Sequence, residues 1–285
     1  MQSSDQHSSI VQRLIKRQAP EKEINIQVTA PLFTARLYDY GRTEGDTLMP
    51  SALDVGQRVD LTNPITFLGE KHSEVYVLSN GAIGFSQSSR NYKPNILRTG
   101  PKLIAPLWNR NDMRKGGQIF YREASDGRII ERAKSEIRYQ YEVDVKPLSV
   151  LLVTWEKVKS VSNDQNGANT VQVALIVTDN GTFANFIYKS IDWSQGAEAG
   201  FSKGDNGQYF YSLPGSGSDG IANLKETGNT GIPGEWMFQI DQPDRIMRCK
   251  PGTKGDTCDG GAKIFTLTEL KHVEPYKNYE QERKK

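Results

Sequence analysis

A β-hairpin is predicted by the segment Val75-Tyr-Val-Leu-Ser-Asn-Gly-Ala-Ile-Gly-Phe85. Apolar residues flank its Asn80-Gly81 pair, and Asn-Gly tolerates the positive φ angles that a type I′ turn requires. The same pattern returns where the apolar run Val171–Val177 meets Phe183–Tyr188 across Asp179-Asn180-Gly181-Thr182. Two such hairpins indicate an antiparallel, mainly β fold.

Further strands surround these hairpins. Ser149–Trp155 is apolar on both of its alternating faces, so we expect a central strand that is covered on both sides. Other strands are predicted at Gln118–Arg122, Gln208–Ser212 and Trp236–Ile240. Together these segments favour a β-sandwich-like arrangement of antiparallel sheets.

One amphipathic helix is predicted at about residues 128–141. Its apolar stripe, at helical spacing, consists of Ile130, Ala133, Ile137 and Tyr141. The rest of its surface carries charges of both signs, which is typical of a helix that packs on a sheet and not of a membrane-binding helix.

The net charge of +2 arises at the two ends of the chain. Residues 21–268 carry 28 basic and 29 acidic side chains, and the basic excess lies in residues 1–20 and 269–285. No nucleic-acid footprint is therefore expected on the folded part.

The longest apolar runs, Val150–Val153 and Val173–Val177, are too short to span a bilayer. Membrane attachment is expected only through segments outside this chain, and no signal peptide is recognised in this fragment.

The chain contains two cysteines, Cys249 and Cys258, which lie close together. One short-range pair in a chain that otherwise avoids thiols is typical of an extracellular protein with a local disulfide. Two free cytosolic thiols are the alternative. The loop between the cysteines contains glycine and proline, and closing it would contribute about 3 kcal/mol to stability.

Within that loop, Lys254, Gly255 and Asp256 form a tripeptide that resembles one that some integrins bind in place of Arg-Gly-Asp. The same tripeptide recurs at Lys203-Gly204-Asp205. A stapled turn without a receptor is the simpler interpretation, because three-residue motifs have low specificity.

Asn180 begins the single Asn-x-Ser/Thr sequon of the chain, Asn180-Gly181-Thr182. It lies on a predicted hairpin tip, where a glycan would be accessible if the protein is secreted. The predicted turn demands Asn-Gly for its own geometry, however, so an accidental sequon stays open as the alternative.

No catalytic motif is recognised. The histidines His7, His72 and His272 are too dispersed for a triad or a metal site of known spacing. Ser216 lies among glycines without an obvious base. A glycosidase needs only two carboxylates, and the candidates on or near predicted strands are Glu123, Glu156, Asp192 and Glu235. Because acids on strands usually face solvent or pair with arginine, we expect no catalysis, metal or cofactor.

Several short motifs follow one another between about Tyr38 and Asp241. They include Gly45-Asp-Thr-Leu-Met-Pro50, Ile65-Thr-Phe-Leu-Gly69, the first hairpin, Leu103-Ile-Ala-Pro-Leu-Trp108, Gly116-Gly-Gln-Ile-Phe-Tyr-Arg-Glu123, Val153-Thr-Trp-Glu-Lys-Val158, Asn169–Trp193, Ala199-Gly-Phe201, Leu213-Pro-Gly-Ser-Gly217 and Gly231-Ile-Pro-Gly-Glu-Trp236. No single motif is specific. In this order they resemble the NIDO domain, the extracellular module of nidogen, alpha-tectorin, mucin-4 and related matrix proteins.

The sequence departs from that family after Trp108. Family members often carry two acidic residues one position apart there, whereas this chain has Arg110 and Asp112. One carboxylate beside a cation is a poor ligand set for a hard cation. We therefore expect a hydrogen-bonded loop around Asp112 and not a metal site.

These observations predict a flexible arm at residues 1–30 and a NIDO-like domain at 31–245. A disulfide-closed loop with a candidate last strand follows at 246–268, and a charged, disordered tail at 269–285. The resemblance implies a non-catalytic extracellular matrix or cell-adhesion module that binds matrix glycoproteins or cell-surface proteins. The alternatives are a secreted glycan-binding, lectin-like module and a hydrolase.

Overall fold

The computed structural model describes residues 35–162 and 166–246, and this part of the chain forms two antiparallel sheets of six strands each. The first sheet contains, in spatial order, β1 (Thr47–Leu48), β6 (Gln118–Ala124), β7 (Pro147–Val158), β8 (Asn169–Thr178), β9 (Gly181–Ser190) and β12 (Glu235–Gln239). The second contains β11 (Phe210–Ser212), β10 (Glu198–Ser202), β5 (Leu103–Trp108), β4 (Ala82–Gly84), β3 (Glu70–Leu78) and β2 (Gly56–Phe67). The predicted sandwich of antiparallel sheets is confirmed.

Short helices connect the strands. The α-helices are α1 (Ile96–Thr99), α2 (Gly127–Tyr141) and α3 (Pro243–Ile246), and 3₁₀ turns occur at Arg42–Glu44, Gln87–Arg90, Met113–Lys115 and Asp219–Lys225. Helix α2 is the predicted amphipathic helix. It begins after Asp126, whose Oδ1 accepts a hydrogen bond from the Ile129 amide at 3.2 Å, and it ends at Glu142 in the left-handed conformation.

The buried face of α2 differs slightly from the predicted stripe. It consists of Ile129, Ala133, Ile137 and Gln140. Ile130 and Tyr141 are only partly buried, although both pack against the same apolar cluster. The helix is therefore turned so that a polar side chain, Gln140, lies in the interface, where its Nε2 donates to the Asn229 carbonyl at 2.9 Å.

Aromatic rings join the two sheets. Phe201 on β10 lies at the centre, with its ring centroid 5.2 Å from that of Phe186 on β9 and 5.1 Å from that of Phe238 on β12. Phe67 and Tyr211 complete the cluster at 6.3 and 6.2 Å from Phe201. These side chains bury large apolar areas and favour offset and edge-on contacts, so they fix the sheets against each other.

The first sheet is covered on both faces. One face packs on the second sheet, and the other packs on α2 through an apolar cluster that includes Val150, Leu152 and Ile176. Every residue of β8 is buried as a result. The central strand predicted at Ser149–Trp155 is confirmed as part of β7, whose side chains from Ser149 to Trp155 are all buried.

Both predicted hairpins are present, but the predicted type I′ turns are wrong. In the first, Leu78 pairs with Ala82 across a three-residue loop in which Gly81 has a φ of +88° and Asn80 has no positive φ. In the second, Thr178 pairs with Gly181, so Asn180 precedes the positive-φ glycine without adopting a positive φ itself. Each hairpin thus has a single glycine with a positive φ in place of the two positive-φ residues that type I′ requires.

The arm predicted at residues 1–30 and the tail predicted at 269–285 lie outside the described residues. The segment predicted at 246–268 lies outside them too, except for Ile246. The boundaries of the predicted domain stay a prediction.

We expect Phe201→Ala to lower the free energy of unfolding by roughly 3–5 kcal/mol, because it removes the ring at the centre of the inter-sheet cluster. Urea unfolding measures this change. Tyr209→Ala is the control, since Tyr209 is 44% exposed and its truncation should cost less than about 1 kcal/mol. Equal losses in the two variants would contradict the role of the cluster.

Candidate functional site

A cluster of charged side chains lies under α2, on the outer face of the first sheet. We call it the acid cluster, and its members are Tyr38, Arg132, Glu136, Asn185 and Glu235. Glu136 and Arg132 lie one turn apart on α2, and Asn185 and Glu235 come from the adjacent strands β9 and β12. Sequence reasoning named Glu235 alone, although an arginine four residues before a glutamate on a helix was a readable signal.

The acid cluster is closely hydrogen-bonded. Asn185 Nδ2 donates to Glu235 Oε1 at 2.8 Å and to Glu136 Oε2 at 3.2 Å. Tyr38 Oη donates to the same Glu136 oxygen at 2.5 Å. Arg132 Nε lies 2.7 Å from Glu136 Oε1, and its guanidinium stacks 3.6 Å from the centroid of the Tyr38 ring. A cavity of about 440 Å³ connects this cluster to the surface.

Glu235 is held in a protonated form by its surroundings. Burial raises its pKa to about 8, and the nearby charge of Glu136 adds to the rise, against the opposing effects of Asn185 and Arg132. Asn185 Oδ1 has no hydrogen-bond partner among the described residues, whereas Asn185 Nδ2 donates to both carboxyl groups. This arrangement is a structural contact between helix and sheet and not a catalytic pair, because α2, β9 and β12 each contribute a side chain to it.

The raised pKa of Glu235 makes the stability of the folded protein depend on pH. Between the ordinary glutamate pKa and about 8, the folded protein retains a proton on Glu235 that the unfolded chain has lost. The contribution of Glu235 to stability therefore falls as the pH rises through this window. A glutamine at this position keeps a carbonyl oxygen for Asn185 and has no proton to lose.

We expect Glu235→Gln to raise the free energy of unfolding at pH 8 by roughly 1–3 kcal/mol and to leave it nearly unchanged near pH 5. Urea unfolding at the two pH values measures the effect. A destabilised variant at pH 8, or a difference between variant and wild type that does not grow with pH, would contradict the assignment.

Glu123→Gln is the matched control because its expected effect has the opposite sign. Glu123 accepts hydrogen bonds from the amides of Thr62 and Asn63, at 2.7 and 3.1 Å, and from Ser149 Oγ at 2.7 Å. Burial would raise its pKa, but these bonds lower it below the ordinary value. The carboxylate joins the two sheets, so the variant should be less stable at pH 8.

The other two candidate carboxylates, Glu156 and Asp192, lie together in a second concave surface. We call it the lysine groove, and it has a volume of about 570 Å³. Glu156 Oε1 accepts from Tyr40 Oη at 2.9 Å, and Asp192 Oδ2 accepts from the Ala168 amide at 3.1 Å. Three lysines missed by the sequence reasoning, Lys157, Lys159 and Lys189, line the same groove.

Asp112 lies in a hydrogen-bonded loop, as its sequence context suggested. Its Oδ1 accepts from Arg114 Nε at 2.9 Å and from the Arg114 amide at 3.1 Å. These hydrogen bonds hold the pKa of Asp112 below its ordinary value. Among the described residues, no group of three or more His, Cys, Asp or Glu side chains is placed to hold a metal ion.

The remaining sequence candidates are spread over the fold. Asn180 is exposed at the β8–β9 tip. Asp205, in the recurring Lys-Gly-Asp tripeptide, accepts from the Tyr209 amide within a turn at 3.0 Å. His72 contacts the Phe85 ring at 4.3 Å between centroids, and Ser216 Oγ accepts from the Ala199 amide at 3.0 Å. Other candidates fall outside the described part of the chain and stay predictions: His7, His272, Cys249, Cys258, Lys254, Gly255 and Asp256.

Comparison with known families gives a match over most of the described residues. The model of the nidogen-like domain, NIDO, matches residues 73–242. The chain belongs to the NIDO family. The resemblance noted in the sequence is thereby confirmed.

Relatives of this NIDO chain are much longer proteins. Dendrite extension defective protein 1 of Caenorhabditis elegans is 54% identical over 85% of this chain and 22% of its own length. Alpha-tectorin of Mus musculus is 34% identical over 70% of the chain and 10% of its own length. Nidogen of Drosophila melanogaster is 30% identical over 73% of the chain and 17% of its own length. The chain thus spans less than a quarter of these relatives, and no solved structure matches it.

Among the helices in the described ranges, none combines the length and apolar character needed to cross a bilayer.

Proposed function

We propose that this NIDO chain is a non-catalytic extracellular module that binds matrix or cell-surface proteins. Membership of the NIDO family carries the proposal, because homologues with this domain, among them nidogen and tectorin, are extracellular matrix proteins. The placement of the candidate acids supports it. Glu123 joins the two sheets, Glu235 locks α2 to its sheet, and both roles are structural.

The loop between β10 and β11 is the surface that we assign to a protein partner. Its Tyr209 is 44% exposed, the largest exposure among the large apolar side chains of the described residues. Lys203 Nζ lies 4.8 Å from the centroid of the Tyr209 ring. Tyrosine beside a cation is a frequent anchor of protein interfaces, since it offers a large apolar area and a polar tip.

This loop is also held in one conformation before any partner binds. Hydrogen bonds join the Lys203 amide to the Tyr209 carbonyl and the Tyr209 amide to Asp205 Oδ1, both at 3.0 Å. Gly204 approaches the segment beneath so closely that a Cβ there would lie 2.4 Å from the Lys102 amide nitrogen. A preorganised loop loses little conformational entropy on binding.

The two other exposed large apolar side chains of the described residues, Val143 and Leu148, are less suited to the same role. Val143 follows α2 and Leu148 lies at the start of β7, two residues after Lys146, whose amide donates to Asp179 Oδ1 of the β8–β9 tip at 2.9 Å. A glycan on the neighbouring Asn180 would cover this end of the sheet. Leu148 therefore serves as a matched control for Tyr209.

We expect the chain to bind an immobilised, solubilised basement-membrane preparation in a saturable manner that free monosaccharides do not compete. The preparation is first treated with glycosaminoglycan lyases, so that protein contacts are measured. Tyr209→Ala should weaken this binding about tenfold, while Leu148→Ala should change it less than about twofold. Competition by free sugars would favour the lectin-like alternative, and equal effects of the two variants would contradict the assigned surface.

We also propose that Asn180 carries an N-linked glycan when the chain passes through a secretory pathway. The exposure of Asn180 supports this, and the buried Thr182 completes the sequon. Mass spectrometry of the secreted chain should show a loss of mass after treatment with peptide-N-glycosidase. Asn180→Gln provides the control, because its mass should not change, and an unmodified wild-type chain would refute the proposal.

A further inference from the structure

The lysine groove lies at one end of the first sheet, opposite the β8–β9 tip. It forms where β7 ends, β8 begins and β9 ends, so three adjacent strands contribute to it. Neighbouring strands are about 4.8 Å apart, which places the backbones of Lys157 on β7 and Lys189 on β9 about 10 Å apart, with β8 between them. Lys159 follows β7 directly.

A β-bulge shapes the wall of the groove. The register between β7 and β8 shifts between Trp155 and Val158, and Lys157 within this shift has a φ of +49°. Its amide leaves the strand ladder and donates to Thr170 Oγ1 at 3.1 Å. Gly117 packs against the bulge, where a Cβ would lie 2.6 Å from the Lys157 carbonyl oxygen. Bulges change the direction of side chains, and this one is held by specific contacts.

The lysines of the groove have no charged partner in the described part of the chain, whereas its carboxylates already accept hydrogen bonds. The side chains of Lys157, Lys159 and Lys189 are exposed, and none of their ammonium groups forms an ion pair with a described residue. The carboxylates of Glu156 and Asp192, in contrast, already accept hydrogen bonds from Tyr40 and from the Ala168 amide. The groove therefore presents unpaired lysine ammonium groups beside two carboxylates that can accept further hydrogen bonds.

We propose that the lysine groove binds a sulfated polysaccharide chain. The ammonium groups would pair with sulfates, while the carboxylates and the hydroxyl groups of Tyr40 and Ser190 would bond to sugar hydroxyls. An acidic peptide satisfies only half of this pattern, because its carboxylates can pair with the lysines but bring no hydroxyl donors for Glu156 and Asp192. The groove is separate from the Tyr209 loop on the second sheet, so this proposal and the proposed protein contact can fail independently.

Surface plasmon resonance on immobilised heparin at about 0.15 M NaCl tests the proposal. The triple variant Lys157→Ala, Lys159→Ala, Lys189→Ala should bind about tenfold more weakly than wild type. The matched control removes three exposed lysines located elsewhere, Lys71, Lys93 and Lys146, and thus changes the net charge equally. It should weaken binding less than about threefold, because dispersed charges act only through the screened field.

Further measurements distinguish a loss of binding from a loss of folding in these variants. Lys157 occupies the strained bulge, so the double variant Lys159→Glu, Lys189→Glu leaves that residue in place and should also lose heparin binding. Urea unfolding of each variant confirms that it is folded. Chemically desulfated heparin should bind poorly, and a polyglutamate peptide should compete poorly.

Three results would overturn the proposal. They are equal losses in the groove and control variants, absence of saturable heparin binding by wild type, and competition by polyglutamate as strong as by heparin. Retained binding of the lyase-treated basement-membrane preparation in the groove variants would show that the proposed protein contact stands regardless.

Discussion

The burial of the first sheet on both faces is the constraint on which the rest of the structure depends. Strand β8 has no exposed residue, so each polar group that it carries must be satisfied inside the protein. Gln172 illustrates this requirement. Its amide pairs with the backbone amide and carbonyl of Tyr38, at 2.7 and 3.1 Å, and with Thr154 Oγ1 at 2.8 Å. A buried glutamine thereby ties the segment before β1 to the centre of the sheet.

The acid cluster follows from the same constraint. Asn185 and Glu235 are buried where the sheet faces α2, and they pair there with one another and with Glu136. A buried polar network of this kind rigidifies the interface when it is satisfied and is costly when it is not. The sheet that results is a firm support, and the surfaces proposed for binding lie at its end and on the opposite sheet.

Much of this fold could be predicted from the sequence, because local patterns carried it. The apolar run of β7 and the helical stripe around Ala133 and Ile137 are visible without tertiary information. The turn type of the first hairpin was not predictable, since it depends on contacts distant in sequence. The buried Asn80 donates to Asp54 at 2.6 Å, and a Cβ on Gly81 would lie 1.9 Å from the Leu107 carbonyl oxygen.

The candidate sites were less visible for the same reason. Glu235 was one carboxylate among several, and its raised pKa arises from its burial and from the nearby charge of Glu136 on α2. Lys157, Lys159 and Lys189 are ordinary surface residues until three strands place them around one groove. The spacing of Lys157 and Lys159 places both on the same face of a regular strand. It does not reveal the β-bulge, which removes the Lys157 amide from the hydrogen-bond ladder between β7 and β8.

Native-state hydrogen exchange measured by mass spectrometry tests the central claim most directly. If the doubly covered sheet is the rigid support, the amides of β7, β8 and β9 should exchange only through global unfolding, while those of the short edge strand β11 should exchange through local opening. Exchange of β8 amides as fast as those of β11, under conditions where the protein stays folded, would contradict this account.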